Sequence, residues 1–168
     1  MEKYTMLDET DMALRKLKEF DEIIKKEPYN TLAWHNKGNL LIQAGRFEEA
    51  LVCFNRVIEI DPDDADAWYG RGIVFHELGH LEEELECYEK VTELSPNCID
   101  ALYNKGLVLE KLGRDHDALE CYEKIISIDY LFAPAWIRKE ETLKKLGRFQ
   151  EALECRKKYA QLQEYMEI

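Results

Sequence analysis

Five cysteines are the first residues of this 168-residue sequence whose chemistry calls for an explanation. Four of them, Cys53, Cys87, Cys121 and Cys155, recur at intervals of 34, 34 and 34 residues, and two lie in the same pentapeptide, ECYEK. Regularly spaced thiols could ligate zinc, form disulfides or exchange electrons. Each of these roles requires sulfur atoms that approach one another closely. The elements that carry the thiols therefore decide between the alternatives.

A second candidate for chemistry is the stretch HELGH at residues 76–80, which matches the H-E-x-x-H zinc motif. That motif needs both imidazoles on one face of an unbroken helix, with the glutamate as general base. The equivalent stretches of the sequence read IQAGR, EKLGR and KKLGR, so Gly79 recurs with the same 34-residue interval. We therefore predict a turn at Gly79, with His80 beyond the helix. A metal-dependent hydrolase stays a minor alternative, and we assign no catalytic residue, no metal and no cofactor.

The composition restricts the classes of partner. The formal net charge is −12, and 35% of the residues are charged. This balance argues against nucleic acid and against anionic membranes, since both attract basic surfaces. No segment approaches the roughly 20 apolar residues of a membrane span, and the first residues lack the apolar core of a secretory signal. We expect a cytoplasmic protein with reduced cysteines.

The 34-residue interval extends far beyond the cysteines. Equivalent positions hold the same residue types, as in Trp34, Trp68, Leu102 and Trp136; Gly38, Gly72 and Gly106; Gly45, Gly79, Gly113 and Gly147; Ala50, Ala118 and Ala152; Phe54, Tyr88 and Tyr122; and Pro62 and Pro96. The repeats predict one continuous domain with four units, at residues 31–64, 65–98, 99–132 and 133–168. Residues 1–30 are predicted to form an N-terminal capping helix, from about Asp8 to Lys26.

Each unit has the apolar periodicity of two amphipathic helices. In the second unit we predict them at Ala65–Leu78 and Leu81–Leu94, because apolar residues recur at spacings of three and four. The glycine between them is a typical left-handed helix stop, and the proline after the second helix prevents its continuation. The sequence therefore predicts eight helices in four hairpins, preceded by the N-terminal helix.

This pattern resembles the tetratricopeptide repeat (TPR) family. The matching residues are Trp34-x3-Gly38-x11-Ala50-x3-Phe54-x7-Pro62, then Trp68-x3-Gly72 with Tyr88 and Pro96, then Gly106 with Ala118 and Tyr122. The resemblance implies an all-α, right-handed superhelix (solenoid) of antiparallel helical hairpins, with four 34-residue units and an N-terminal helix. It also implies a non-catalytic protein–protein interaction scaffold whose concave groove is lined by the first helix of each unit.

Helical phase places a set of residues on that concave side. They are His35, Asn36, Asn39, Tyr69, Ile73, His76, Tyr103, Asn104, Leu107, Ile137 and Arg138. Rigid aromatic side chains flanked by polar ones suit a peptide or helix of a partner protein. Residues 65–98 hold two basic and eight acidic side chains, which favours a basic segment in that partner. The alternative is that these side chains only pack between helices and bind nothing.

The geometry of stacked hairpins also predicts that the four regularly spaced cysteines serve in packing. Equivalent positions of successive hairpins are separated by a whole helix pair, whereas a disulfide needs Cα atoms within roughly 7 Å. We therefore expect Cys53, Cys87, Cys121 and Cys155 to be semi-buried, and Cys98 to be the most exposed thiol.

Three features depart from the repeat. Glu84 replaces the small alanine of the other units, so we expect it to tilt into solvent or to widen the helix crossing. At the junction of the third and fourth units, Tyr130 replaces the closing proline and Glu140 replaces a glycine, so we expect the packing between these units to be looser or shifted. Tyr159, Leu162 and Met166 would form an apolar strip on the last helix. This strip makes a self-associating structural module a further alternative, and we expect a monomer or a weak homo-oligomer.

Overall fold

The computed structural model describes residues 2–166, and it describes the side chains of residues 11–162 and of residue 164. Throughout the described residues the secondary structure is helical, without strands. The helices are α1 (Glu2–Lys26), α2 (Thr31–Gln43), α3 (Phe47–Ile60), α4 (Ala65–Leu78), α5 (Leu81–Leu94), α6 (Ile99–Lys111), α7 (Asp115–Ile128), α8 (Ala133–Lys145) and α9 (Phe149–Met166). None of these described helices has the length and apolar character needed to cross a bilayer.

The helix boundaries follow from local sequence signals. The bounds predicted for the second unit are those of α4 and α5. Asp64 caps α4, because its carboxylate accepts a hydrogen bond of 2.8 Å from the backbone N–H of Ala67. The helix ends at Gly79, whose φ of 76° lies in the left-handed region that glycine tolerates best. The first helix begins at Glu2, earlier than the predicted Asp8, since residues 2–8 contain no glycine or proline to stop it.

The chain divides within α5 into two compact units, Met1–Cys87 and Tyr88–Ile168. In the first unit, α1 packs on α2, α2 on α3, and α3 on α4. In the second unit, α6 packs on α7, α7 on α8, and α8 on α9. Consecutive antiparallel helices therefore pair within each unit, and the all-α hairpin architecture predicted from the repeat is confirmed.

The core of the first unit is organised around Phe54, which is fully buried. Its ring lies against two glycines: a Cβ added to Gly38 would come within 2.9 Å of the ring, and one added to Gly70 within 2.4 Å. Both helices that face Phe54 therefore need a residue without a side chain at the point of contact. Burial of an aromatic ring of this size contributes about 3 kcal/mol. Gly38 was identified from the sequence as a repeat position, whereas the role of Gly70 was not foreseen.

The second unit buries Tyr122 in the same way. A Cβ on Gly106 would lie 2.6 Å from the Tyr122 ring. Trp136 and Leu143 of α8 form a further core cluster with Ala152 and Cys155 of α9.

The final helix differs from its prediction. Tyr159 and Leu162 are half-buried and pack against the Trp136 cluster, so they close the core of the second unit. The predicted exposed strip is therefore wrong at these two residues, and the side chain of Met166 lies outside the described residues. Among the described side chains of α9, the large exposed apolar ones are Phe149 and Leu153.

Candidate functional site

The four regularly spaced cysteines are buried packing residues. Cys53 and Cys87 are each 1% exposed, Cys155 is 4% exposed and Cys121 is 7% exposed. Burial raises the pKa of the Cys53 thiol to about 11 and that of Cys87 to about 12. These thiols are therefore protonated and weakly nucleophilic at neutral pH. Cys98 is half-buried at the N-terminal cap of α6, and all five described cysteines are free.

The HELGH stretch does not have the geometry of a zinc motif. The helix ends at Leu78, and the backbone reverses at Gly79, so His80 lies beyond the helix that carries His76. The His80 ring stacks on Phe75 with 6.0 Å between centroids. Nδ1 of His76 lies 2.8 Å from Oε1 of Glu84. Across the described residues, no group of three or more His, Cys, Asp or Glu side chains is arranged to hold a metal ion.

Glu84 corrects one expectation and explains the position of His76. Its side chain is 2% exposed, so the first of the two predicted alternatives, a tilt into solvent, is wrong. The imidazole of His76 provides the partner that allows the carboxylate to stay between α4 and α5. Oε2 of Glu84 is buried without a hydrogen-bond partner among the described residues. A buried carboxylate with one unsatisfied oxygen lowers the free energy of unfolding. The pair therefore orients the side chains of His76 and Glu84 more than it stabilises the fold.

The other predicted residues of the first unit differ in exposure. Asn36 and Asn39 of α2 are exposed, whereas Tyr69 and Ile73 of α4 are half-buried. His35 is half-buried and meets the Phe54 ring edge-on, with 5.5 Å between centroids. His35 is therefore part of the packing around the core, in line with the alternative that some of these residues only fill space.

In the second unit the structure connects two of the predicted residues. The pKa of Arg138 is raised because its guanidinium hydrogen-bonds with Tyr103 and lies near the carboxylates of Glu110 and Glu141. The Tyr103 ring packs edge-on against Phe132, with 5.8 Å between centroids. These contacts fix both side chains on the same face of the second unit.

The three remaining predicted residues of this unit surround that pair along the same two helices. Asn104 and Leu107 of α6 are half-buried. Ile137, which precedes Arg138 on α8, is 46% exposed.

A carboxylate that was not predicted anchors this face. The side chain of Glu110 is 8% exposed, and its oxygens lie 3.8 Å from a guanidinium nitrogen of Arg138 and 3.7 Å from Nζ of Lys145. The Thr142 hydroxyl donates to Oε1 of Glu110 at 2.7 Å. The sequence does contain a signal: Thr142 is a polar residue at a position that is Leu40, Val74 or Val108 in the other hairpins. A buried hydroxyl among aliphatic residues indicates a polar partner nearby.

This arrangement leaves hydrogen-bond donors of Arg138 available to another molecule. Arg138 lies near Glu110 and hydrogen-bonds with Tyr103, and its side chain keeps 39% exposure. A guanidinium has five N–H donors, so it can hold these partners and still donate to an acceptor on another molecule. Next to it, the exposed Ile137 offers an apolar contact. We name Tyr103, Asn104, Leu107, Ile137 and Arg138 the Arg138 face.

Family comparisons agree with the helical repeat. A family model for the "TPR repeat" matches residues 38–79 and 74–113, and models for the "Tetratricopeptide repeat" match residues 19–52 and 99–129. Together these matches extend without a gap from residue 19 to residue 129. The chain belongs to the tetratricopeptide repeat family. A sequence comparison with curated proteins finds no match.

Solved TPR structures share this fold at low sequence identity. The crystal structure of MamA is 23% identical, has a TM-score of 0.83, and the match covers 89% of this chain and 88% of MamA. MamA 41-end from Desulfovibrio magneticus RS-1 is 19% identical, with a TM-score of 0.79 and coverage of 94% and 93%. YrrB, a TPR protein with an unusual peptide-binding site, is 21% identical, with a TM-score of 0.79 and coverage of 95% and 82%. At these identities the likeness shows the fold: a helical solenoid of TPR hairpins.

The fourth TPR hairpin departs from the family pattern at both positions of the glycine–aromatic pair. Glu140 stands where Gly106 stands in the third hairpin, and Arg156 stands where Tyr122 stands. Nη2 of Arg156 lies 2.9 Å from Oε1 of Glu140, and Lys144 also pairs with this carboxylate. The pair of substitutions therefore replaces an aromatic contact with an ion pair across the same two helices.

Proposed function

We propose that this chain is a non-catalytic TPR scaffold that binds a peptide or helix of a partner protein through the first helices of its hairpins. The observation that carries this proposal is the Arg138 face, where the guanidinium lies 3.3 Å from Glu141 and 3.8 Å from Glu110, beside the exposed Ile137. A side chain that is already ordered loses little conformational entropy on binding, and this makes it an effective anchor.

The chemistry of the face defines what the peptide should offer. Ile137 suits an aliphatic or aromatic side chain, and Arg138 suits a backbone carbonyl or another acceptor. Glu110 and Glu141 balance the charge of Arg138, so the face does not need an acidic ligand. A basic segment of the partner agrees with the net charge of −12 and with the acidic residues of the second hairpin. Peptide binding by a TPR protein of the same fold, YrrB, supports this class of partner.

The test is selection from a random peptide library displayed on phage, followed by titration of the selected peptides. Ile137→Asp places a charge in the apolar contact and should weaken binding by about tenfold or more, because it removes an anchor and adds a desolvation cost. The matched control is Ile128→Asp, since Ile128 is a similarly exposed isoleucine on α7. It should leave the affinity unchanged.

Circular dichroism of both variants must show the wild-type helix content. Peptides that bind Ile137→Asp as tightly as the wild type would disprove the Arg138 face as the site. Arg138→Gln then separates the two contacts, because it removes the charge but keeps hydrogen-bond donors at the same place.

A further inference from the structure

The third TPR hairpin contains a cleft beside Leu102, at a repeat position that is tryptophan in the other hairpins. The cleft is lined by residues of α6 and α7 and by Glu89 of α5, and it has a volume of about 390 Å³. Its apolar floor consists of Leu102, Leu109 and Cys121. Leu102 is the one residue at its repeat position that is not a tryptophan, since the other hairpins have Trp34, Trp68 and Trp136. The third hairpin therefore has a small aliphatic side chain where an indole is otherwise built in.

The indoles of the other hairpins show how the fold holds such a ring. Nε1 of Trp34, of Trp68 and of Trp136 each donates to a loop carbonyl six residues earlier, at 3.0, 2.8 and 2.8 Å. In addition, Nζ of Lys37 lies 5.7 Å from the Trp34 ring centroid, and the Arg71 guanidinium lies 5.1 Å from that of Trp68. A cation at this distance from a ring face is attracted to the ring quadrupole. Lys105 is the equivalent cation of the third hairpin, but Leu102 offers it no ring.

The charges around the cleft favour a neutral ligand. Three basic and three acidic side chains line it, so their formal charges cancel. Two ion pairs form among these lining residues. Arg114 donates to Asp117 at 2.7 Å, and Nζ of Lys105 lies 3.8 Å from Glu89. The Cys121 thiol on the floor is also neutral, because burial raises its pKa to about 11. A charged ligand would have to displace an existing ion pair, whereas a neutral ring would not.

We propose that this cleft binds a tryptophan side chain of a partner protein, as a site separate from the Arg138 face. The indole would occupy the space that an intrinsic tryptophan fills in the other hairpins, with Lys105 over the ring. Residues 102, 105 and 109 share one stripe of α6, whereas Tyr103, Leu107 and Glu110 share another, so the two sites can be altered independently.

The direct test is an NMR titration of the ¹⁵N-labelled protein with N-acetyl-L-tryptophanamide, a neutral mimic of a tryptophan residue. Saturable shifts are expected at the amides of Leu102, Lys105, Leu109 and Cys121. N-acetyl-L-leucinamide serves as a comparison and should bind at least about tenfold more weakly, because it buries less apolar surface and also has no ring for the cation. Free tryptophan carries two charges and should also bind more weakly than the amide. Equal affinity for the leucine and tryptophan amides, or tighter binding of free tryptophan, would overturn the proposal.

The decisive variant is Leu102→Trp, which fills the cleft with the residue of the other three hairpins. It should reduce the affinity for the tryptophan amide by about tenfold or more, and it should raise the melting temperature because it restores the indole packing. The matched control is Leu102→Met, since methionine has a similar volume and leaves the cleft open. Its affinity should stay within about twofold of the wild type.

Wild-type affinity in a folded Leu102→Trp would rule out the cleft. If that variant does not fold, Lys105→Gln is used as the test variant instead. Loss of the cation should weaken the tryptophan amide by roughly threefold, and an unchanged affinity would overturn the proposal. Peptides selected on the Arg138 face should bind Leu102→Trp as they bind the wild type, so failure at one site is distinguishable from failure at the other.

Discussion

The hairpin of α6 and α7 and the hairpin of α8 and α9 make the same helix crossing with different chemistry. In the first, Gly106 leaves room for the Tyr122 ring, which is fully buried. In the second, Glu140 pairs with Arg156, whose side chain is 63% exposed. Burial of a large aromatic ring contributes about 3 kcal/mol, whereas an ion pair that is partly in water contributes roughly 0.2–1 kcal/mol. The repeat therefore preserves the position of a contact while the strength of the contact changes.

The comparison also shows why the two positions change together. A glutamate opposite Tyr122 would collide with the ring, and an arginine opposite Gly106 would lose its carboxylate partner. Each residue type is therefore acceptable only with its own partner. The consequence is that variants of the two hairpins should differ in the size of their effect and in their dependence on pH and salt.

The largest effect is expected from Gly106→Ala. The new Cβ would lie 2.6 Å from the Tyr122 ring, and this ring is fully buried. We expect a loss of about 2 kcal/mol in the free energy of unfolding, because overpacking costs more than the improved helix propensity returns. Urea denaturation measures it. The same change in a Tyr122→Leu background should be harmless, and a full loss there would show that the ring is not the cause.

A smaller effect of opposite sign is expected from Tyr122→Phe. The Tyr122 hydroxyl is buried without a hydrogen-bond partner among the described residues, and the first unit already has phenylalanine at this position. Removing an unsatisfied hydroxyl should raise the free energy of unfolding by about 1 kcal/mol. A loss of stability in this variant would mean that the hydroxyl has a partner.

The same variant tests a pH dependence. Burial raises the pKa of Tyr122, so the native state keeps the neutral phenol while the unfolded chain ionises near pH 10. This contribution to stability is present below about pH 10 and is lost as the pH rises above it. In Tyr122→Phe the corresponding part of the alkaline decline should vanish.

The smallest effect belongs to the ion pair of the other hairpin. Burial alone would raise the pKa of Glu140, but hydrogen bonds from Lys144 and Arg156 hold it below its usual value. Stability from this carboxylate is therefore present above the unfolded pKa of about 4.3 and is lost as the pH falls through the lower native value. Glu140→Gln should cost about 0.5 kcal/mol at pH 7 and nothing at pH 2, and salt should reduce the cost.

The control for this variant is Glu154→Gln, which changes an exposed carboxylate of the same hairpin. It should be neutral at both pH values. A cost for Glu140→Gln that persists in strong acid would indicate that the glutamate acts through packing and not through its charge.

The fold was predictable from the sequence because the residues that determine helix packing recur in several repeats. One hairpin could be ambiguous, but glycines, aromatics and apolar stripes that recur in four hairpins leave one consistent arrangement. The buried state of the cysteines was predictable for the same reason. The start of α1 was not, since it depends on residues outside the repeats that carry no stop signal.

The contacts that depart from the repeat were harder to predict. Glu84 was recognised as an exception, but its partner, His76, was predicted as a residue of the concave groove. The pairing joins residues eight positions apart across a turn, and no periodic pattern encodes it. Glu110 and Thr142 lie 32 positions apart and meet only when α6 and α8 are packed. Such pairs become visible when deviations at different repeat positions are compared with each other as well as with the repeat.

The turn at Gly113 has a consequence for stereochemistry. Its φ is 72°, and nothing lies within 4 Å of the place where a Cβ would be added. Space is therefore available there, and the constraint comes only from the handedness of the natural amino acids. A D-residue prefers the mirror-image backbone region in which this glycine lies. In a chemically synthesised chain, D-alanine would keep the turn and remove flexibility from the unfolded state, whereas L-alanine of identical composition would strain it.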